Sequence, residues 1–220
     1  MFPGHSICGC ALLIIQVVKI YAQASYSYYG GQPRYHAIAR LYVSGNTETG
    51  IGQVQFFQFG PGSPTMVVGV LQLPAYQQRD QFLGLHIHEF GDISENCKWV
   101  GRHFNPHGQP HGGPREYTRH EGDLGNVEPM GSTLILNITD YQIQLTGLNT
   151  IIGRSLVLHT QRDDLGRGGT ANSLEDGNSG YPLACGVIGV KGAFSPAAAS
   201  AIQSPLFAVS LGCLICAIWK

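Results

Sequence analysis

Between Ala37 and His159 the chain never sustains a helical period. Short β-rich runs of five to nine residues alternate instead with clusters of Gly, Pro, Asn and Ser. The runs are Ala37–Val43, Gln53–Phe59, Met66–Leu73, Phe82–Phe90, Ser132–Ile138, Tyr141–Leu148 and Ser155–His159. Runs of this length, bounded by turn residues such as GNTETG and GPGSP, predict an all-β sandwich or barrel. The chain holds 30 glycines among its 220 residues, which fits a turn-rich, strand-based fold. Two intervals break the rhythm: Gly91–Gly131 and Arg162–Ala184 are long, polar and Gly-rich. Loops beyond about 15 residues without structure of their own are usually functional or disordered. Here both are expected to be functional, because both carry chemically capable side chains.

The run Gly84–Asp92 reads GLHIHEFGD. On a strand, residues two apart project to the same face, so His86 and His88 share one side. Seven of the nine histidines lie between His86 and His159. His103, His107, His111 and His120 all sit in the first long interval, followed by Asp123. A lone histidine is most often a hydrogen-bonded polar side chain, but five or six converging near one carboxylate need another reason. Neutral imidazole suits zinc and copper. Magnesium and calcium prefer oxygen ligands, and no cysteine cluster suggests a zinc ribbon or an iron–sulfur site.

The two ends differ from the middle. Ile7–Val18 is an apolar run too short to span a bilayer, and Ala22-Gln23-Ala24 follows as a small-residue cleavage pattern. The expectation is a signal peptide over 1–24, with a retained membrane anchor as the alternative. Residues 25–35 read as a flexible lead-in. Over 192–220, a small, polar stretch precedes an apolar tail ending at Lys220. That pattern suits a glycosylphosphatidylinositol (GPI) anchor, with attachment at Ala197, Ala198 or Ser200. A retained membrane-spanning tail is the alternative. Four of the six cysteines lie in these ends, leaving Cys97 and Cys185 between them. Secretion would permit a disulfide, and Asn137-Ile138-Thr139 is a glycosylation sequon consistent with that route. The chain is therefore expected to be extracellular, secreted or held at the outer cell surface. A net charge of −1 gives no sign of a nucleic-acid partner.

Five motifs then occur in order: GLHIHEFGD, HFNP with HGGP, RHEGDLGN, IIGRSLVLH with DDLGRGG, and GNSG with LACGVIG. Together, over residues 36–191, they resemble copper/zinc superoxide dismutase. The resemblance implies a Greek-key β-sandwich or flattened eight-stranded barrel. It implies copper held by His86, His88, His103 and His159, and zinc held by His103, His111, His120 and Asp123. His103 would bridge the two metals and carry a proton in catalysis. Asp163 would hydrogen-bond one copper histidine, His86, and one zinc histidine, His111. Cys97 and Cys185 would form the family's intrasubunit disulfide. His107 has no ligand counterpart and reads as an exposed loop residue. The implied substrate is superoxide, and members occur as homodimers or monomers.

Two positions depart from the family pattern. In Tyr181-Pro182-Leu183-Ala184-Cys185, Pro182 stands where members carry an arginine that attracts the anionic substrate. In the preceding loop, Glu175-Asp176 stand where well-known members have lysine then threonine. Both changes make the site mouth more negative, and Arg162 or Arg167 are the nearby cations that could compensate. The expectation is dismutase activity at a reduced rate, against the alternative of a non-catalytic metal-binding surface protein on the same scaffold.

Overall fold

The structure is a computed structural model, and it describes residues 33–74 and 82–192. The expected signal peptide, most of the lead-in and nearly all of the spacer and tail lie outside those residues. Nine strands form: β1 (Tyr35–Val43), β2 (Asn46–Gln58), β3 (Thr65–Gln72), β4 (Leu83–His88), β5 (Asp123–Val127), β6 (Pro129–Met130), β7 (Thr133–Asp140), β8 (Ser155–His159) and β9 (Pro182–Val190). They make one antiparallel sheet in the order β5-β4-β8-β9-β1-β2-β3-β7-β6. Its two edge strands, β5 and β6, are separated only by Glu128, so the sheet curls until its ends meet in a nearly closed barrel. Closure removes the exposed edges that invite aggregation. The connections β3 to β4 and β7 to β8 join non-neighbouring strands, which makes the barrel a Greek key and not a simple meander. Eight strands match the expected architecture, and the ninth is the two-residue β6.

Alternation sets the core. Ala37, Ala39 and Leu41 of β1, Leu85 and Ile87 of β4, Leu134 and Leu136 of β7, and Leu156 and Leu158 of β8 all point inward and are buried. Each fully buried side chain of Leu or Ile size contributes roughly 1.5–3 kcal/mol. Strand β4 is buried at all six positions. One face meets the core; the other, bearing His86 and His88, is roofed by the two long loops.

Four strand expectations change, the first being β2, which starts at Asn46 inside the GNTETG stretch read as a turn. No strand forms over Tyr141–Leu148. Asp140 Oδ1 accepts hydrogen bonds from the backbone of Gln142 (2.8 Å) and Ile143 (3.0 Å), which turns the chain away from the ladder. Ile143 and Leu145 still plug the core, so their alternation reported burial and not strand pairing. Strand β5 lies inside the interval read as a loop, Gly91–Gly131. Strand β9 begins within the second interval at Pro182, and its glycines hid it. Gly186 is required there, because a Cβ would lie 2.0 Å from the Arg40 carbonyl of β1.

Candidate metal centre

The outer face of β4 carries His86 and His88, and His159 ends the neighbouring strand β8. His103 pairs back onto His88 through an isolated backbone bridge. These four rings are buried together, and each of their donor atoms lies within 4.8 Å of the others. A second group, His103, His111, His120 and Asp123, meets the same limit. His103 belongs to both.

Hydrogen bonding fixes which nitrogen each ring can offer. His88 Nδ1–H donates to the Gly101 carbonyl at 2.9 Å, and His159 Nδ1–H donates to the Gly180 carbonyl at 3.0 Å. Their Nε2 atoms are left facing each other at 3.2 Å. His86 Nε2–H donates to Asp163 Oδ2 at 2.9 Å, so its Nδ1 is free, and that atom is buried without a partner. His103 Nε2 is buried without a partner too. Burial, reinforced by His103 nearby, holds His86 and His88 well below the usual histidine range. Burial likewise lowers His159 to about 4. Neutral rings have no proton to place between those nitrogens. Four lone pairs therefore converge on one point, an arrangement that a soft or borderline cation satisfies and a hydrogen bond does not.

The second group converges on oxygen. Asp123 Oδ1 lies 2.9 Å from His103 Nδ1, 3.0 Å from His111 Nδ1 and 3.2 Å from His120 Nδ1. The contact with His111 Nδ1 is short yet lacks hydrogen-bond alignment, so that nitrogen is left unsatisfied. Three nitrogens and one oxygen at such separations suit a tetrahedral zinc, whose ligand atoms sit about 3.3 Å apart for bonds of roughly 2.0–2.1 Å. Asp123 Oδ2 is held by the backbone N–H groups of Gly112 (3.1 Å) and His120 (3.0 Å). Burial opposes the charge on Asp123, but the three imidazoles outweigh it and hold the carboxyl far below its usual range. On His111 burial is likewise outweighed, by Asp123 and Asp163, which raise it to about 10.

Asp163 joins the two groups. Besides His86 it accepts from His111 Nε2–H at 2.7 Å. Its own backbone is clamped to Asn126 by two bonds of 2.8 Å. Gly177 makes the junction possible: at φ 67° it approaches so closely that a Cβ would sit 2.0 Å from Asp163 Oδ1.

Every residue proposed from sequence for the two metals is thus in one buried cluster. His107 is not among them. It is 61% exposed and sits 2.9 Å from Glu121 Oε1. Cys97 and Cys185 are bonded, tying the first loop to β9. Asn137 is exposed on β7. A cleft opens beside His88, His103 and His159, and Pro182, Glu175 and Asp176 line it. Arg162 and Arg167 do not line it. Arg162 lies over the Phe82 ring, and Arg167 pairs with Glu116 at 2.7 Å.

Arg119 has a role at the site that its sequence context does not announce. Its Nη1 donates to the carbonyls of His120, Glu121 and Asp123, and its Nη2 pairs with Asp140 at 2.6 Å, all of it buried. Arg119 therefore staples the zinc-site turn to the end of β7. The one available signal was an arginine directly beside a candidate ligand.

The sequence profile of copper/zinc superoxide dismutase (SODC) matches residues 51–188. The chain belongs to that family. Among the curated relatives of this copper/zinc superoxide dismutase family, it is similar to a candidate superoxide dismutase (Cu-Zn) of Orgyia pseudotsugata multicapsid polyhedrosis virus. The two are 46% identical over 142 residues, 63% of this chain and 90% of that protein. It is also 44% identical over 138 residues to superoxide dismutase (Cu-Zn) 5 of Dictyostelium discoideum, covering 62% of this chain and 88% of that one. The cofactors of the family are copper and zinc, and the two donor sets fit them.

Proposed function

We propose that this chain disproportionates superoxide outside the cell, and does so more slowly than relatives that carry an arginine at the position of Pro182. Two superoxide ions and two protons become one O₂ and one hydrogen peroxide. The single observation that carries the reading is the pair of donor sets sharing His103, one all-nitrogen and one with a carboxylate. His86, His88, His103 and His159 would hold copper; His103, His111, His120 and Asp123 would hold zinc. Copper supplies the one-electron chemistry, and zinc supplies a fixed, redox-inert charge.

The protein's own groups do the rest. His103 is anchored at Nδ1 on the Asp123 side, so its Nε2 is the atom that can take up a proton and deliver it to the reduced substrate. Gly101 and Gly180 carbonyls orient His88 and His159, and such outer partners set ring tautomer and metal affinity. Pro182 offers neither charge nor donor at the cleft. Lost steering lowers an on-rate by about 10- to 1,000-fold.

The Cys97–Cys185 disulfide and the exposed Asn137 side chain support an extracellular setting. Segment 192–220 is proposed to direct a GPI anchor, tested by phospholipase release from cells. Pro182 together with Glu175 and Asp176 favours the second reading, a metal-binding surface protein without turnover. Copper and zinc content, measured on the preparation that is assayed for dismutation across ionic strength, separates the two. Bound copper without turnover overturns the enzyme reading. Turnover matching arginine-bearing relatives overturns the reduced rate.

A further inference from the structure

Five charged side chains line the cleft beside His88, His103 and His159: Glu95, Lys98, Arg102, Glu175 and Asp176. Three are acidic and two basic, so the mouth as a whole does not favour an anion. Both cations are engaged. Lys98 faces Glu95 at 3.7 Å and lies 4.8 Å from the Trp99 ring centroid. Arg102 Nη2 faces Glu175 Oε1 at 3.1 Å.

The placement of Arg102 is unlike that of the other cations. It directly precedes His103, and its carbonyl accepts the Glu89 N–H at 2.9 Å, one residue beyond His88. Its backbone is thus pinned between two rings of the all-nitrogen set, while its side chain is 79% exposed. Among the described residues it is the one arginine lining the cleft. Its ion pair spans the two long loops and is open to water, and exposed pairs of this kind are weak. A small anion can therefore displace Glu175 from the guanidinium, whose planar fork of donors suits a two-oxygen or linear anion.

We propose that Arg102 is the anion-recruiting residue of this cleft, in place of the arginine missing at Pro182, and that Glu175 holds it in check. The assignment deepens the dismutase reading and rests on it for the identity of the substrate. Arg102 acts as a positioning residue: it concentrates the anion beside the metal-binding rings and takes no part in electron transfer.

The test uses the copper- and zinc-loaded protein with azide as probe, its dissociation constant read from absorbance, and kcat/KM for superoxide measured against salt. Metal content per chain is matched throughout. Arg102→Gln is expected to weaken azide binding and lower kcat/KM by about three- to tenfold, with a flatter salt dependence. Glu175→Gln is expected to move both the other way. Arg115→Gln, an exposed arginine away from the cleft, controls for net charge and should change neither. Arg102→Gln with parental azide affinity overturns the proposal, as does an equal shift in the Arg115→Gln control. A parent that binds azide with the expected pattern but does not dismutate superoxide overturns the dismutase reading and leaves Arg102 as an anion receptor.

Discussion

Asp163 spends its two carboxylate oxygens on two different imidazoles, His86 and His111, one from each donor set. Removing it leaves two buried ring N–H groups unpaired and frees both rings to turn. Asp163→Ala is therefore expected to weaken copper and zinc together, each by about 10- to 100-fold. Competition titrations with a chelator measure this, and loss at one metal alone would contradict it. Gly177→Ala should give a milder form of the same double defect, because the new Cβ pushes on the same carboxylate. Protonation distinguishes the two sets. His111 is raised to about 10, so the metal-free protein carries a proton there at pH 7. Zinc must displace it. Calorimetry in buffers of different ionisation enthalpy should find at least one proton released per zinc. Copper added alone should release none from His86, His88 or His159, which are already neutral.

At the scale of elements, β4 and β8 were legible because each carries its chemistry on a period of two. The run LHIH announces Leu85 and Ile87 inward and His86 and His88 outward. The ligand histidines of the first loop were legible as a motif, although nothing local dictates where a loop folds. Its position comes from long-range contacts that a linear pattern does not display: Arg119 reaching Asp140, Asn126 clamping Asp163, and the disulfide. Gly186 and Gly189 mask strand β9 in the sequence, and Tyr141–Leu148 mimics a strand because core burial also alternates. The disulfide joins residues 88 apart in sequence and holds a turn in which Glu95, Asn96 and Cys97 all have positive φ, at 46°, 66° and 61°. Non-glycine residues reach that region at a cost, so the turn depends on its tether. Replacing both Cys97 and Cys185 with Ser should lower stability by about 4–5 kcal/mol in the chain-entropy account, read from urea unfolding. The loss should include faster copper release, because Gly101, which orients His88, lies four residues beyond Cys97.

For the whole molecule, the same histidines make the metal-free protein sensitive to pH in two directions. His159 is lowered to about 4 by burial, His36 to about 4 by burial and Lys191, and His86 and His88 lie well below the usual value. Between pH 6.5 and 4 the unfolded chain binds these protons and the folded chain does not. Stability from these groups is complete above pH 6.5 and is lost as pH falls, by about 3 kcal/mol for His159 alone. His111 runs the opposite way. Burial is outweighed by its two carboxylates, so the folded protein binds its proton more tightly than the unfolded chain. Its contribution is complete below pH 6.5 and is lost as pH rises toward 10. The metal-free protein should therefore be most stable near pH 6.5, with urea midpoints lower at both pH 5 and pH 9. Zinc takes the place of the His111 proton, so loading it should flatten the alkaline limb while leaving acid as the condition that releases metal. A midpoint rising steadily from pH 5 to pH 9 in the metal-free protein would show that His111 is not held between two carboxylates, and with it that Asp163 does not join the two halves of the centre.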